Sequence, residues 1–335
     1  MKTVYFSKQI LLSIKAFILL CLVAGFSSLA HAQLIWSDEF DTGTQPDTSI
    51  WSYDLGASGW GNNELQEYTS SYQNARVKDG NLVITVLDGA NGFTSARIRT
   101  EDKLTFKYGR IEARIKMPDL ADGLWPAFWT LGNNFGQVGW PFCGELDILE
   151  MGSGASISAG TINRRVSSTA HWDNDGGYAT YGRFFDVASD LTDGYHIYSM
   201  DWTPERVTTY IDGQQIWTML IKEDTCASCS EFHQPHFVIL NVAVGGNFTG
   251  LLSEDQITAP TPAEMIVDYV RISDNGFTEM GGSGYSPKPL AIGPEYSGSW
   301  FNPEQSGHGF SMEFDELEDG STQAVIYWYT YDDQG

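Results

Sequence analysis

"GRIEARIKM", residues 109–117, places Ile111, Ala113, Ile115 and Met117 on one side and Glu112, Arg114 and Lys116 on the other. A period of two belongs to an extended strand with one face buried and one wet, because successive side chains point to opposite sides. The stretches "NLVITVL" (81–87), "YHIYSMDW" (195–202), "FVILNVAV" (237–244) and "AEMIVDYVRI" (263–272) are further strand candidates. In "VTTYIDGQQIW", Asp212-Gly213 sits where a two-residue hairpin turn needs left-handed backbone. No window of about a dozen residues carries a helical stripe. The chain therefore reads as all-β, with antiparallel sheets packed as a sandwich.

Outside that body the composition changes twice. Residues 1–32 carry Lys2, Lys8 and Lys15 around the apolar run "AFILLCLVAGF" and end with Ala30 and Ala32 spaced for signal-peptidase cleavage. The apolar core is too short for the roughly 20 residues of a spanning helix, so the segment reads as a secretory signal peptide, with the mature protein extracellular or periplasmic and free of the membrane. Its removal leaves 16 basic against 43 acidic residues, a formal charge of −27. Nucleic acid and anionic membranes are poor partners for such a surface. The stretch 276–296, rich in Gly, Ser and Pro, reads as a linker, and 297–335 as part of a second small β module of unassigned role. Past the leader, Cys143, Cys226 and Cys229 remain, an odd number. "CASC" (226–229) lacks a second pair to complete a metal site, which favours a local disulfide.

The stretch "GELDILEM" (144–151) sets Glu145, Asp147 and Glu150 among Leu146, Ile148, Leu149 and Met151. In a regular strand Glu145 and Asp147 share a face and Glu150 falls on the other. One extra residue taken up as a β-bulge, at Leu149, restores the phase and lines the three acids along one surface. Like charges so close raise one another's pKa, so the cluster should keep a proton at neutral pH. One ionised and one protonated carboxyl group is the division that glycoside hydrolysis needs. A calcium site or a solvated acidic strand is the competing reading. Trp125, Trp129 and Trp140, within 16 residues beside the acids, offer flat apolar faces for sugar rings.

"WPFCGELDILE" (140–150), preceded by "GLWPAFWTLG" (123–132), resembles the active-site strand of glycoside hydrolase family 16 in its laminarinase branch. Further matching stretches follow in order from about Ile35 to Ser273: "WSDEFD", "WGNNELQEYT", "SARIRT", "YGRIEARIKMP", "STAHW", "LNVAVGGNF" and "VDYVRI". The resemblance implies a concanavalin-like β-jelly-roll over 33–275 whose concave sheet holds a glucan. It implies Glu145 as nucleophile, Asp147 as its assistant and Glu150 as acid/base. It assigns sugar contacts to Asn63, Glu64, Arg97, Trp125, Trp129, Trp140, His171 and Asn241, and leaves Phe248 doubtful, since Trp is commoner there. A structural calcium held by Glu39, Gly80 and Asp268 is implied as well, with no cofactor for catalysis.

The function expected on this basis is hydrolysis of internal β-1,3-glucosidic bonds of laminarin-type glucans by a secreted, retaining monomer, with mixed-linkage β-1,3-1,4-glucan as a further substrate. The alternatives are a family hydrolase acting on agar, porphyran or carrageenan, and a glucan-binding protein without catalysis.

Overall fold

The computed structural model describes residues 33–287 and, beyond them, three strands, Gly298–Phe301, His308–Glu316 and Thr322–Thr330, paired antiparallel in that order. The expected leader, 1–32, residues 288–296 of the expected linker and residue 297 lie outside the described residues. The chain divides into two compact units between Tyr285 and Ser286.

In the larger unit the alternation of the opening stretch is realised as the strand Gly109–Lys116, in which Ile111, Ala113 and Ile115 are fully buried. It pairs on one side with Tyr195–Trp202 and on the other with Ala263–Ser273, inside a ten-stranded sheet. The opposing nine-stranded sheet runs Gly177–Asp186, Arg165–Asn174, Glu145–Glu150, Leu124–Gly132, His236–Val244, Arg97–Arg99 and Ser52–Asp54, with Thr105–Lys107 attached beside His236–Val244 and Glu279–Gly281 beside Thr105–Lys107. One core forms between the sheets and includes Ile111, Ile115, Met200, Phe128, Leu146 and Leu240. Each such side chain contributes about 1.5–3 kcal/mol by leaving water. This is the expected all-β jelly-roll sandwich.

Within His236–Val244 every residue is buried. Val238, Leu240 and Val242 enter the main core, while Phe237 and Ile239 pack with Leu131 and Cys143 in a second small cluster. The Asp212-Gly213 hairpin turn is present, with φ of 48° and 78°. Helices are short, as at Gly154–Ala159, where the Ser153 side chain accepts from Ser156 N at the start. Among the described residues no helix is long and apolar enough to cross a membrane.

Cys226 and Cys229 are disulfide-bonded, and Cys143 is free and buried, its thiol pushed up to about 12 by burial. Part of the stretch read as linker is packed structure, since Glu279–Gly281 pairs with Thr105–Lys107.

Candidate active site

Pairing across the nine-stranded sheet brings one parity of side chains to its open face. Trp125 and Trp129 project there from Leu124–Gly132, and Glu145, Asp147 and Glu150 from the next strand. Thr169 and His171 follow from Arg165–Asn174, and Asn241 from His236–Val244. Together they line a groove of about 640 Å³.

The bulge that brings Glu150 to this face is present, but its extra residue is Ile148 rather than Leu149. Phe128 pairs with Leu149 and Trp129 with Asp147, so Ile148 is skipped. Both Ile148 and Leu149 turn into the core, as the two side chains of a bulge do when they share a side. The Ser168 hydroxyl, itself buried, donates to the Ile148 carbonyl at 2.8 Å and satisfies the main chain where the ladder is interrupted.

Each glutamate is held by a tryptophan. Trp140 Nε1–H donates to Glu145 Oε2 at 2.9 Å, and Trp125 Nε1–H donates to Glu150 Oε1 at 3.0 Å. His171 Nε2 lies 3.1 Å from Asp147 Oδ2 and 3.8 Å from Glu145 Oε1, while its Nδ1 meets the Tyr178 hydroxyl at 2.7 Å. Burial raises the pKa of all three acids, and neighbouring carboxylates add to the shift at Glu145 and Glu150. Glu145 is pushed up to about 8, although His171, Arg97 and the Trp140 bond pull the other way. Glu150 faces both other carboxylates, with His171 and the Trp125 bond opposing them. The cluster therefore retains protons at neutral pH, and Glu145 has the larger set of partners favouring its charge.

The predicted sugar-contact residues divide into groove surface and support. Arg97 lines the groove, ion-paired to Asp54 at 2.8 Å, with its guanidinium 4.7 Å from the Trp129 ring and 5.3 Å from that of Trp60. Asn241 accepts from Trp129 Nε1 at 2.8 Å and donates to Tyr68 Oη, whose hydroxyl donates to Glu64 Oε2. Its amide thus orients Trp129. Glu64 lines the groove and also accepts from Gln66.

Asn63 departs from expectation. With φ of 55° its side chain is carried out to the surface and donates to Asn247, while Asn62 and Asn247 line the groove. Phe248, doubtful from sequence, stacks on Trp125 with ring centres 4.8 Å apart. Trp60, Tyr178 and Phe184 also line the groove and are not among the residues expected from the sequence. The parity of Tyr178 and Phe184 in "GYATYGRFF" carried a signal, but Tyr181 and Phe185 on the opposite parity obscured it.

The expected calcium ligands show different partners. Glu39 forks Arg271 through both carboxylate oxygens, at 2.9 and 2.8 Å, and Asp268 Oδ2 accepts from Arg114. With those charges balanced by guanidinium groups, a cation there would have to be held largely by main-chain carbonyls and the second oxygen of Asp268.

The family model for glycosyl hydrolases family 16 matches residues 62–270. The chain belongs to this family. It is 39% identical to the clotting factor G alpha subunit of Tachypleus tridentatus over 254 residues, covering 73% of this chain and 34% of that protein. The chain thus spans about a third of the length of the first curated relatives it matches. Among solved structures it is similar to the catalytic domain of an endo-1,3-beta-glucanase (laminarinase) from Thermotoga petrophila RKU-1, at 39% identity and TM-score 0.63, covering 73% of this chain and 98% of that one. It is also similar to a family 16 protein of a Bacteroides ovatus mixed-linkage glucan locus, in complex with a G4G4G3G product, at 35% identity and TM-score 0.64, covering 71% and 99%.

Proposed function

We propose that this protein is a secreted endo-β-1,3-glucanase that cleaves laminarin-type glucans with retention of configuration. The observation that carries the reading is the bulged strand: it presents Glu145, Asp147 and Glu150 to one aromatic-lined groove, with a separate indole N–H on each glutamate. Glu145 attacks the anomeric carbon while Glu150 protonates the departing glycosidic oxygen. Glu150, now a carboxylate, takes a proton from water as that water attacks the same carbon and releases Glu145. Asp147 and His171 hold the charge of Glu145 between them as it is gained and lost. The aromatic faces of Trp125, Trp129 and Trp140 suit the apolar faces of pyranose rings.

The test is reducing-sugar release from laminarin, with product anomers followed by proton NMR. Glu145→Gln and Glu150→Gln proteins that stay folded should each lose at least about 10³-fold in kcat, since each removes a group that reacts. Wild-type turnover in both variants overturns the proposal, and an inverted first product overturns the retaining step. Similarity to the Bacteroides ovatus protein supports cleavage of mixed-linkage glucan as a second substrate, read out by activity on lichenan.

Two further elements of the reading rest on the sequence. Export follows from the leader at 1–32, and a mature N terminus near Gln33 in the exported protein checks it. A stabilising calcium at Glu39, Gly80 and Asp268 would act through carbonyl groups and Asp268. Chelation with EDTA should then lower Tm by a few degrees in the parent and leave Asp268→Ala unaffected.

A further inference from the structure

We propose that Glu145, Asp147 and His171 also form a binding site for a zinc-like divalent cation, which shuts the groove when occupied. The effect on activity rests on the glucanase reading above; the binding does not.

Glu145, Asp147 and His171 each offer one ligand atom to a group lying within 4.8 Å of one another, and His171 Nε2 faces Glu145 Oε1 and Asp147 Oδ2. A tetrahedral zinc with bonds of about 2.0–2.2 Å keeps its ligands about 3.4 Å apart. The spacings from Nε2, 3.1 and 3.8 Å, bracket that separation. One imidazole and two carboxylates suit zinc, whereas calcium and magnesium take all-oxygen shells of six or more ligands.

A group of acids is common without any ion, so the supporting contacts matter more. Asp147 is 4% exposed, and its Oδ2 is buried without a hydrogen-bond partner among the described residues. The His171 contact is close, yet its direction does not make a hydrogen bond. Buried acceptors left in this state are uncommon, and this one faces His171 Nε2 at 3.1 Å within the three-residue group. The remaining atoms of the set are already fixed from behind. Tyr178 holds His171 Nδ1, which leaves Nε2 as the ring nitrogen facing the acids, and Trp140 holds Glu145 Oε2, which leaves Oε1. Outer contacts of this kind orient ligands in metal sites. The fourth position opens to the groove, beside Tyr178 and Trp140, which are 54% and 47% exposed. Because Glu145 is both ligand and nucleophile, cation and sugar exclude each other.

The test uses ZnCl2 with the folded protein in buffer free of chelators. Zinc should raise Tm, and CoCl2 should give the visible absorption of four-coordinate cobalt. His171→Gln should lose both responses. Tyr178→Phe, which keeps every ligand atom, should weaken zinc binding about tenfold. Laminarin hydrolysis should be inhibited competitively by zinc and not by equal CaCl2 or MgCl2. No zinc response in the parent, or an undiminished response in His171→Gln, overturns the site. Zinc binding as described in a protein that hydrolyses no glucan leaves the site standing and removes the glucanase reading instead.

Discussion

Glu145 and Glu150 differ in what surrounds them, and the difference should be visible in the pH dependence of turnover. The indole N–H groups of Trp140 and Trp125 favour the ionised forms of Glu145 and Glu150 respectively, against the upward push of burial. Glu145 must be ionised to attack, so it governs the acidic limb of kcat/KM. Glu150 must be protonated to donate, so it governs the alkaline limb. Trp140→Phe should move the acidic limb to higher pH and Trp125→Phe the alkaline limb to higher pH, each by about one unit or less. The limb that each substitution displaces identifies the role of the glutamate it touches. Displacement of the opposite limbs would reverse the assignment. The same burial acts on stability. The folded protein holds the Glu145 proton up to about pH 8, whereas an unperturbed glutamate releases it near 4.5. Between those values the unfolded chain binds fewer protons, so stability falls as pH rises. The contribution is complete below about pH 4.5 and lost once pH passes about 8. Glu145→Gln, which resembles the protonated form at every pH, should gain Tm over the parent at pH 8 and little at pH 4.5. Each kcal/mol recovered appears as about 2–4 °C by scanning calorimetry.

At the level of the strand, the bulge is what converts an apolar stretch into a catalytic edge, and Ser168 is its support. Ser168 Oγ donates to Ile148 O and accepts from Thr209 Oγ1 at 3.0 Å, all within the core. Ser168→Ala removes the bond to the Ile148 carbonyl and the acceptor of the buried Thr209 hydroxyl, at a cost of about 1–3 kcal/mol. It should lower Tm by several degrees and reduce kcat more than it raises KM, because Glu150 follows the bulge while the aromatic walls do not. A kcat change no larger than that of a distant core substitution with equal Tm loss would show that the bulge does not position Glu150. The existence of this bulge is legible in the sequence, since acids at 145, 147 and 150 cannot share a face of a regular strand. Its place is not, because Ile148 and Leu149 are both apolar and both buried, so nothing in their chemistry marks which one is extra. Strands such as Gly109–Lys116 are legible because one wet face preserves the alternation. His236–Val244, every residue of which is buried, shows after His236 only an apolar run with Asn241 as the exception. Loop contributions are legible least: Asn63 and Asn62 are adjacent and identical, and the backbone dihedrals decide which reaches the groove.

Across the whole molecule, the groove exists because strands distant in sequence are held in register by one core, so the limits of the unit that folds around that core matter. Composition suggests an end near residue 275, where glycine and serine begin to dominate. The packing continues further. Glu279–Gly281 adds a strand beside Thr105–Lys107, and Met280 and Tyr285 pack against the main core. The chain then passes so close to residues 49 and 103 that only glycine fits: a Cβ on Gly284 would lie 2.2 Å from Ser49 O, and one on Gly282 2.4 Å from the Lys103 carbonyl. Net gains of about 1 kcal/mol per hydrogen bond and 1–2 kcal/mol per partly buried apolar side chain put this segment at roughly 3–5 kcal/mol. A protein of residues 33–275 should therefore melt about 10 °C below one of residues 33–285. The longer form should match the full chain in laminarin turnover, because the groove draws on no described residue beyond Phe248. Equal melting of the two shortened forms would mean that the 276–285 segment is bound too weakly to belong to the catalytic unit.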